Sequence, residues 1–345
     1  MATGDGGAPA HDNHYVPQFL LRRWSLDGNT LFARRLLVSN AGVPEWRERS
    51  LRGLAFQSDL YTTPAPGAVA DEFERWVSSS FEAPASKAID KVVLGERLMR
   101  EDWQSLSRLF ALQDLRTPAS FFAQMERWDR ELPGVIEATT KRAIQELEDA
   151  RKTGRPLRTP AGQNHFSKVF EVSVERSSDP GGEAFVRTGV TLGRRFWLAS
   201  IRHLLTGAAE VLTEHKWTVA EPADRGEWPL TDHPALKLNY YGPGKYDFGG
   251  GWGVRRTDLM MPLTPRHLLM TEVGKDAGRK VVLTQEQTDR VRRFLVERAH
   301  RWVFTSRQLD WVVGVRPRLV DAEQFEREAE MWARWDEDQT EAEMS

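Results

Sequence analysis

The chain has 345 residues, 40% of them hydrophobic, and its 48 basic and 50 acidic residues nearly cancel. That apolar content is enough for a large folded core, and the absence of cysteine excludes disulfides, thiolate catalysis and zinc ribbons. No segment stays apolar over the roughly 18 to 20 residues that a membrane span requires, and the first ten residues lack the features of a secretory signal. We therefore expect a cytoplasmic protein without a membrane partner.

The N-terminal part is predicted to start unstructured and then to form a short extended unit. Residues 1–12 are rich in glycine and alanine, which is typical of a disordered tail. A dense motif of rings, aliphatic side chains and arginines follows over residues 14–24. A turn signal at residues 27–29 precedes an extended pattern over residues 30–37, and the two predict a hairpin-like unit. A second short extended piece is expected around Leu60.

Helical spacing begins at Val69, where apolar residues recur every three or four positions. Pro84 lies inside this pattern and is expected to kink or break the helix, because proline lacks the backbone N–H that an inner turn needs. A further helix is predicted over residues 100–116, where Trp103 and Phe110 belong to the apolar face.

A third helix is predicted to start immediately afterwards. Thr117 is a good N-cap residue, and Pro118 suits the first helical position. The helical pattern continues to about Lys152, and Pro133 and Gly134 predict an interruption in its middle.

The last half of the chain changes from helix to short strands. The segment 169–174 has extended character, and the most amphipathic helix of the chain covers residues 197–212. Short strands are then predicted at 217–220, 228–231, 235–239, 258–263, 268–272, 302–305 and 311–315. Two more helices are predicted over 284–299 and 321–335. Most of the thirteen tryptophans fall at apolar positions of these elements, so we expect them to be buried.

This order of elements predicts an α+β fold, with a mainly helical N-terminal two thirds packed on a small antiparallel sheet formed largely by the C-terminal third. We expect a single domain over residues 13–335. Its helical part covers about 68–215, its sheet-rich part covers about 216–320 together with the N-terminal hairpin, and an acidic tail follows at 336–345. The basic segment 151–202 is expected to attract that acidic end.

Five blocks of sequence resemble one family, the domain of unknown function 4238 family, which is found mainly in bacteria. The first is the His-Tyr-Val-Pro motif with its following Phe, Leu, Arg and aromatic residues, here residues 14–24. The others are the helix bearing Glu82 and the segments 113–118, 230–234 and 261–265. In the block 230–234 this chain has histidine where asparagine is commoner. The family has no agreed activity, so the resemblance implies a place for a site and no reaction.

Three residues of these blocks have both a chemical and a structural interpretation. His14 is a candidate ligand or general base, or it stacks under the neighbouring tyrosine. Gln113 lies on an apolar helix face, where a buried amide requires a partner or lines a polar pocket. Arg116, near the same face, either clamps an anion or pairs with Glu82 or Asp232.

Asp232 lies in a short turn at the end of a strand, where it caps its own backbone or acts chemically. With His14, Glu82 and His233 it would form an oxygen and nitrogen ligand set suited to Mg, Mn or Zn, if the fold brings the four together. The glycine-rich aromatic loop 239–253 is either a lid with a stacking surface or a long hairpin connection.

From these residues we hypothesise a metal-dependent hydrolase of a phosphodiester or another anionic substrate, such as a nuclease in bacterial conflict. In this hypothesis Asp232 and Glu82 hold the cation, His14 transfers the proton, and Gln113 and Arg116 bind the substrate. The partner would be a nucleic acid or an anionic small molecule. The alternative is a non-catalytic binding or regulatory module whose N-terminal motif is structural. The sequence does not decide the oligomeric state.

Overall fold

The computed structural model describes residues 12–62, 72–156, 166, 169–176, 184–276 and 278–344. The predicted disordered tail, apart from Asp12, and the start of the helix predicted from Val69 lie outside these residues. The helices are α1 (Gln18–Leu21), α2 (Glu72–Val77), α3 (Ala83–Leu94), α4 (Arg100–Leu115), α5 (Pro118–Thr153), α6 (Arg194–His203), α7 (Glu210–Glu214), α8 (Gln285–Arg298), α9 (Asp310–Val315), α10 (Ala322–Ala333) and α11 (Trp335–Met344).

The strands are short and form several sheets. They are β1 (Asp12–His14), β2 (Thr30–Arg35), β3 (Leu37–Val38), β4 (Arg47–Ser50), β5 (Phe56–Ser58), β6 (Phe170–Arg176), β7 (Ala184–Val190), β8 (Thr218–Glu221), β9 (Leu230–Thr231), β10 (Leu236–Gly242), β11 (Lys245–Asp247), β12 (Thr257–Pro262), β13 (Leu268–Glu272), β14 (Lys280–Val282), β15 (Trp302–Thr305) and β16 (Leu319–Val320). Helices and several small sheets in one chain are consistent with the predicted α+β class.

The largest sheet has six strands in the order β11-β10-β12-β13-β8-β14. Its strands are antiparallel except for β14, which runs parallel to β8. The predicted antiparallel sheet is therefore a mixed sheet with one parallel pair. After β13 the chain turns back and pairs on the far side of β8, so β14 runs opposite to β13 and in the same direction as β8.

A second sheet joins strands from the N-terminal part of the chain to strands from its C-terminal part. Its order is β4-β2-β15-β9, so the N-terminal hairpin pairs with a strand from near residue 300. Trp24, which precedes this hairpin, bonds the segment before β9, because its Nε1 donates to the carbonyl of Trp228 at 2.8 Å. Trp24, Trp197, Trp217 and Trp228 are among the largest fully buried side chains, but seven of the thirteen tryptophans are half-buried or exposed, so the predicted burial of most of them is not confirmed.

Three sequence-based expectations about local structure need correction or refinement. Residues 311–315 form helix α9 instead of a strand, because a short apolar run does not distinguish the two by its periodicity. Helix α5 continues through Pro133 without interruption; the one missing hydrogen bond there is cheap on a helix whose neighbouring Val135 is exposed to water. The predicted break at Pro84 takes the form of a wide π-helical turn over Ser78–Glu82, just before the proline.

The acidic C-terminal residues form helix α11, which is bound by a buried arginine. Arg194 is fully buried at the start of α6, and its guanidinium pairs with Asp336 and with Glu343, the latter at 3.3 Å. Its backbone N–H donates to Oε1 of Gln339 at 2.6 Å. The expected attraction between the basic middle segment and the acidic end is therefore present at this arginine.

We predict that Arg194→Ala lowers the free energy of unfolding by roughly 3 to 5 kcal/mol, because the buried Glu343 would keep only the more distant Arg195, at 3.9 Å, as a cation. Urea denaturation followed by tryptophan fluorescence measures this loss. Arg187→Ala is the matched control, since the ion pair of Arg187 with Glu175 is exposed and should matter little. Equal stability of the two variants would contradict the anchoring role of Arg194.

Candidate functional site

The N-terminal motif is held to helix α4 through its own backbone. The N–H of Tyr15 donates to the carbonyl of Ala55 at 2.9 Å. The Tyr15 carbonyl accepts from Nε of Arg116 at 3.0 Å and, in the amide orientation that satisfies both groups, from Gln113 at 3.2 Å. The Gln113 oxygen then accepts from the same Arg116 Nε at 3.0 Å. The buried amide therefore has a structural partner, as its place on an apolar helix face requires.

Arg116 also connects this motif to two other segments. Its Nη2 lies 2.7 Å from Oε1 of Glu82, and its carbonyl accepts from the Tyr61 hydroxyl at 2.7 Å. Burial lowers the pKa of Arg116, but the neighbouring Glu82 and Tyr61 outweigh it and the pKa is raised overall. Of the interpretations open for Arg116, the internal ion pair with Glu82 is the one present.

His14 lies beside this network without entering it. It ends strand β1, its Nε2 is 3.0 Å from the amide nitrogen of Gln18, and its ring centroid is 5.8 Å from that of Phe56. Burial lowers the pKa of His14, so the ring is neutral at physiological pH. These contacts are those of a half-buried structural histidine.

Asp232 faces a small cavity of about 140 Å³ next to the side chain of Tyr15, called here the Asp232 cavity. Its two carboxylate oxygens accept from the backbone N–H groups of His300 and Arg301 at 2.8 and 2.6 Å. Burial raises the pKa of Asp232 to about 6, although these backbone bonds act in the opposite direction. Asp232 thus ties the turn before β10 to the segment that leads into β15.

His233 points the other way and links two of the family-like blocks. Its Nδ1 is 2.6 Å from the hydroxyl of Thr117, the N-cap of α5, and its Nε2 is 2.7 Å from Nη2 of Arg298. Because the guanidinium donates, Nε2 accepts and Nδ1 carries the proton that is donated to Thr117. Burial lowers the pKa of His233 well below its usual range, which keeps the ring neutral in this arrangement.

The four predicted metal ligands do not form a ligand set in this structure. Within residues 12–344, leaving aside the undescribed gaps, no group of three or more His, Asp or Glu side chains is arranged to hold a metal ion. The physical reason is that each side chain already has another partner. Glu82 pairs with Arg116, Asp232 binds backbone amides, and His233 lies between Thr117 and Arg298.

The larger cavity next to His233 is a cleft of about 700 Å³, called here the Arg298 cleft. The C-terminal end of α4, the first turns of α5, helix α6 and its continuation, strand β10 and the loop before β12 surround it. Its lining residues are Asp114, Leu115, Ser120, Ala123, Gln124, Arg127, Trp128, Phe166, Ser200, His203, Leu204, His233, Lys237, Phe248, Gly249, Gly250, Gly251, Trp252 and Arg298.

One carboxylate in this cleft serves two donors. Oδ2 of the buried Asp114 accepts from Nζ of Lys237 at 2.6 Å and from Nε1 of Trp252 at 2.9 Å. Arg298 has no such partner: its Nε is buried without a hydrogen bond, and no carboxylate bonds it among the described residues. Burial lowers the pKa of Arg298, opposed by the field of Asp114. The cleft therefore holds more positive than negative charge.

The glycine-rich loop forms one side of the cleft. A Cβ at Gly250 would lie 2.4 Å from Cγ2 of Thr257 and 3.2 Å from the carbonyl carbon of Lys237, so only glycine lets the loop pack this closely on β10 and β12. The Trp252 carbonyl accepts from Nε2 of His215 at 2.6 Å, which fixes the far end of the loop. The loop thus presents Phe248 and Trp252 to the cleft from a fixed position.

The sequence analysis missed three residues of this cleft. Asp114 lies inside the family-like block 113–118, so the block itself was a signal. Lys237 is the one charged residue of strand β10, which is a weaker signal. Nothing in the sequence near Arg298 distinguishes it from the other arginines of α8, because its role arises from contacts with segments far away in the chain.

Comparison with protein families gives one match: the profile described as Protein of unknown function (DUF4238) matches residues 12–308. The chain belongs to this family. Every lining residue of the Arg298 cleft falls inside the matched part of this DUF4238 protein. Comparisons with curated proteins and with solved structures gave no match. Among the helices that the structure describes, none has the length and apolar character needed to cross a membrane.

We predict that Arg116→Ala lowers the free energy of unfolding by roughly 3 to 5 kcal/mol, because it leaves Glu82 without its partner and removes one of the two donors to the Tyr15 carbonyl. His14→Ala should cost about 1 kcal/mol, since it removes one hydrogen bond at a half-buried position. Urea titration of both variants checks the order. A larger loss for His14→Ala than for Arg116→Ala would overturn the structural account of the motif.

We predict a pH-dependent contribution of Asp232 to stability. Its folded pKa of about 6 is above its ordinary 3.8, so folding favours the protonated form, and this contribution is full below pH 4 and falls as the pH rises towards 6. His300, with a pKa lowered by burial from 6.5 to about 4, acts oppositely: it weakens the fold as the pH falls through this window.

The difference between the wild type and Asp232→Asn isolates the aspartate, because asparagine resembles the protonated carboxyl and His300 is common to both. The free energy of unfolding of the wild type, relative to the variant, should decrease on the order of 2 kcal/mol between pH 4 and pH 6. Urea denaturation at a series of pH values measures it. A difference that does not change with pH would rule out the raised pKa.

Proposed function

We propose that this protein binds an anionic, ring-bearing ligand of the nucleotide class in the Arg298 cleft. The observation that carries the proposal is the Arg298 guanidinium itself. It is largely buried, its Nε lacks a hydrogen-bond partner, and no carboxylate of the described residues bonds it. Burying a cation without a directly bonded anion is costly, so an anionic ligand would compensate a charge that the protein offsets only through the field of Asp114.

The guanidinium is held in one orientation for this purpose. The Thr117 hydroxyl fixes the His233 ring, and His233 in turn accepts from Nη2 of Arg298. A planar guanidinium held in this way suits the two parallel hydrogen bonds that a phosphate or carboxylate offers. Lys237 on strand β10 supplies a second cation, which Asp114 positions.

The aromatic side chains of the cleft favour a ligand that also has a planar ring. Trp128, Phe248 and Trp252 line the cleft, and each remains partly exposed. A partly exposed ring next to a phosphate-binding arginine suits the stacking of a nucleobase, which contributes about 1 to 3 kcal/mol per base. Phosphate alone would use the cations and leave these rings in water.

The proposal is closer to the binding-module alternative than to the metal-dependent hydrolase. His14, Glu82, Gln113 and Arg116 are occupied by internal contacts, which supports a structural N-terminal motif. The phosphodiester part of the hydrolase hypothesis is compatible with a cationic cleft, and hydrolysis of the bound ligand stays a prediction. Incubating oligonucleotides with the protein and Mg or Mn checks it in the same samples.

The test is calorimetric titration with adenosine and guanosine monophosphates and diphosphates. We expect binding by the wild type, and a loss of tenfold or more for Arg298→Gln, since a hydrogen bond to a charged group is worth roughly 1.5 to 3 kcal/mol. Arg293→Gln is the matched control, because Arg293 lies on the same helix, is exposed, and pairs with Glu297 outside the cleft. Inorganic phosphate and adenosine should each bind more weakly than the nucleotide.

His233 offers a second, independent variant. His233→Asn keeps one donor for Thr117 and one acceptor for Arg298, so affinity should be retained. His233→Leu removes both and should weaken binding although Arg298 is present. Absence of nucleotide binding by the wild type, or equal affinity of the wild type and Arg298→Gln, would refute the proposed function.

A further inference from the structure

A second cleft, of about 720 Å³, lies next to the first and is strongly basic. It is called here the Trp103 cleft, and it lies between the α3–α4 connection, the end of α7 and strand β14. Five cationic side chains line it: Arg97, Arg100, Lys216, Arg279 and Lys280. Its lining has two carboxylates, Glu96 and Glu214. This excess of positive charge occurs in a protein whose formal net charge is −2.

Most of these cations are not used by the fold. Of these five cations, only Lys280 forms an ion pair with a residue that the structure describes, namely Glu221 at 2.7 Å. Arg279 lies with its guanidinium carbon 4.9 Å from the ring centroid of Trp103, and its Nη1 reaches the Trp217 carbonyl only at 3.5 Å. A guanidinium stacked on an indole leaves its other face free for a further planar group.

The floor of the Trp103 cleft is partly apolar. Trp103 is half-buried in the first turn of α4, and Leu98 and Met99 precede it. A purely ionic ligand would leave this floor in water, whereas a chain of phosphates with attached rings would cover both the floor and the cations. The same combination of cations and aromatic rings characterises the Arg298 cleft.

One hydrogen bond joins a lining residue of the Trp103 cleft to a lining residue of the Arg298 cleft. His215 lines the Trp103 cleft, and its Nε2 donates to the carbonyl of Trp252 at 2.6 Å. Trp252 lines the Arg298 cleft, where its indole nitrogen donates to Asp114 at 2.9 Å. A ligand longer than one nucleotide that extends from the Arg298 cleft past Trp252 would therefore approach His215 and the Trp103 cleft.

We propose that a single-stranded nucleic acid lies across both clefts, with one nucleotide at Arg298 and the adjoining phosphates on the cations of the Trp103 cleft. This inference rests on the proposed nucleotide binding at Arg298 and names its ligand as a strand. A single strand is the form that fits, because its unpaired bases can stack on the free face of the Arg279 guanidinium and on Trp252, whereas a duplex encloses its base faces.

The experiment compares a mononucleotide with a single-stranded oligonucleotide of about 12 nucleotides, as DNA and as RNA. The variant is the double substitution Lys216→Gln, Arg279→Gln. We expect its affinity for the oligonucleotide to fall tenfold or more while its affinity for the mononucleotide is unchanged. The slope of log K against log salt should also become shallower, by about 0.7 for each phosphate of a single strand that the variant no longer neutralises.

The matched control is Lys141→Gln, Arg142→Gln, which removes the same charge from an exposed part of α5 outside both clefts. It should leave both affinities and the salt slope as in the wild type. Thermal melting of each variant confirms that it is folded.

The outcomes separate this inference from the proposed function. If the mononucleotide binds in an Arg298-dependent way but the double variant binds the oligonucleotide like the wild type, the strand inference fails and nucleotide binding stands. If a duplex competes as well as the single strand, or if oligonucleotide binding does not depend on Arg298, the strand inference also fails. If neither nucleotide nor oligonucleotide binds, both proposals fail together.

Discussion

The buried guanidinium of Arg116 is the constraint on which the rest of the structure depends. The guanidinium binds the backbone of the N-terminal motif and the carboxylate of Glu82. The backbone carbonyl of the same residue accepts from the hydroxyl of Tyr61. A buried charge tolerates little displacement, because removing any partner leaves an unpaired ion in a medium of low polarity. The next residue, Thr117, holds His233, so the fixed position of Arg116 also determines where the Arg298 cleft is built.

Neighbouring residues of the family-like blocks serve opposite sides of the molecule. Gln113 faces the Tyr15 carbonyl, whereas Asp114 faces Lys237 and the Arg298 cleft. Asp232 faces the backbone at residues 300–301, whereas its neighbour His233 faces Arg298. Each of these two blocks therefore combines one residue that holds the fold with one that shapes the cleft, which explains why such short segments contain so many polar groups.

Periodicity predicted the elements that depend on local sequence, such as α4, α8 and the strands β13 and β15, nearly to their ends. It failed for α9, where a short apolar run fits both structures, and at Pro133, where solvent exposure makes the missing hydrogen bond cheap. The candidate site was predicted in part. His233 was marked by its block, but Arg298 and Lys237 reach the cleft only through tertiary contacts, which single-sequence patterns do not contain. The metal hypothesis assumed that acidic residues of separate blocks were free, whereas each has an internal partner.

The ion pairs of Arg194 with helix α11 bear on where the folded unit ends. The family profile ends at residue 308, yet Asp336 and Glu343, which neutralise Arg194, lie beyond that point. Trp335, also beyond it, packs its ring 4.9 Å from that of Phe121 in helix α5. The segment that the family profile matches is therefore shorter than the segment whose side chains pack together here. Any shortened version designed from the shared boundaries would expose an unpaired arginine and an aromatic surface, and would report on an artificially weakened protein.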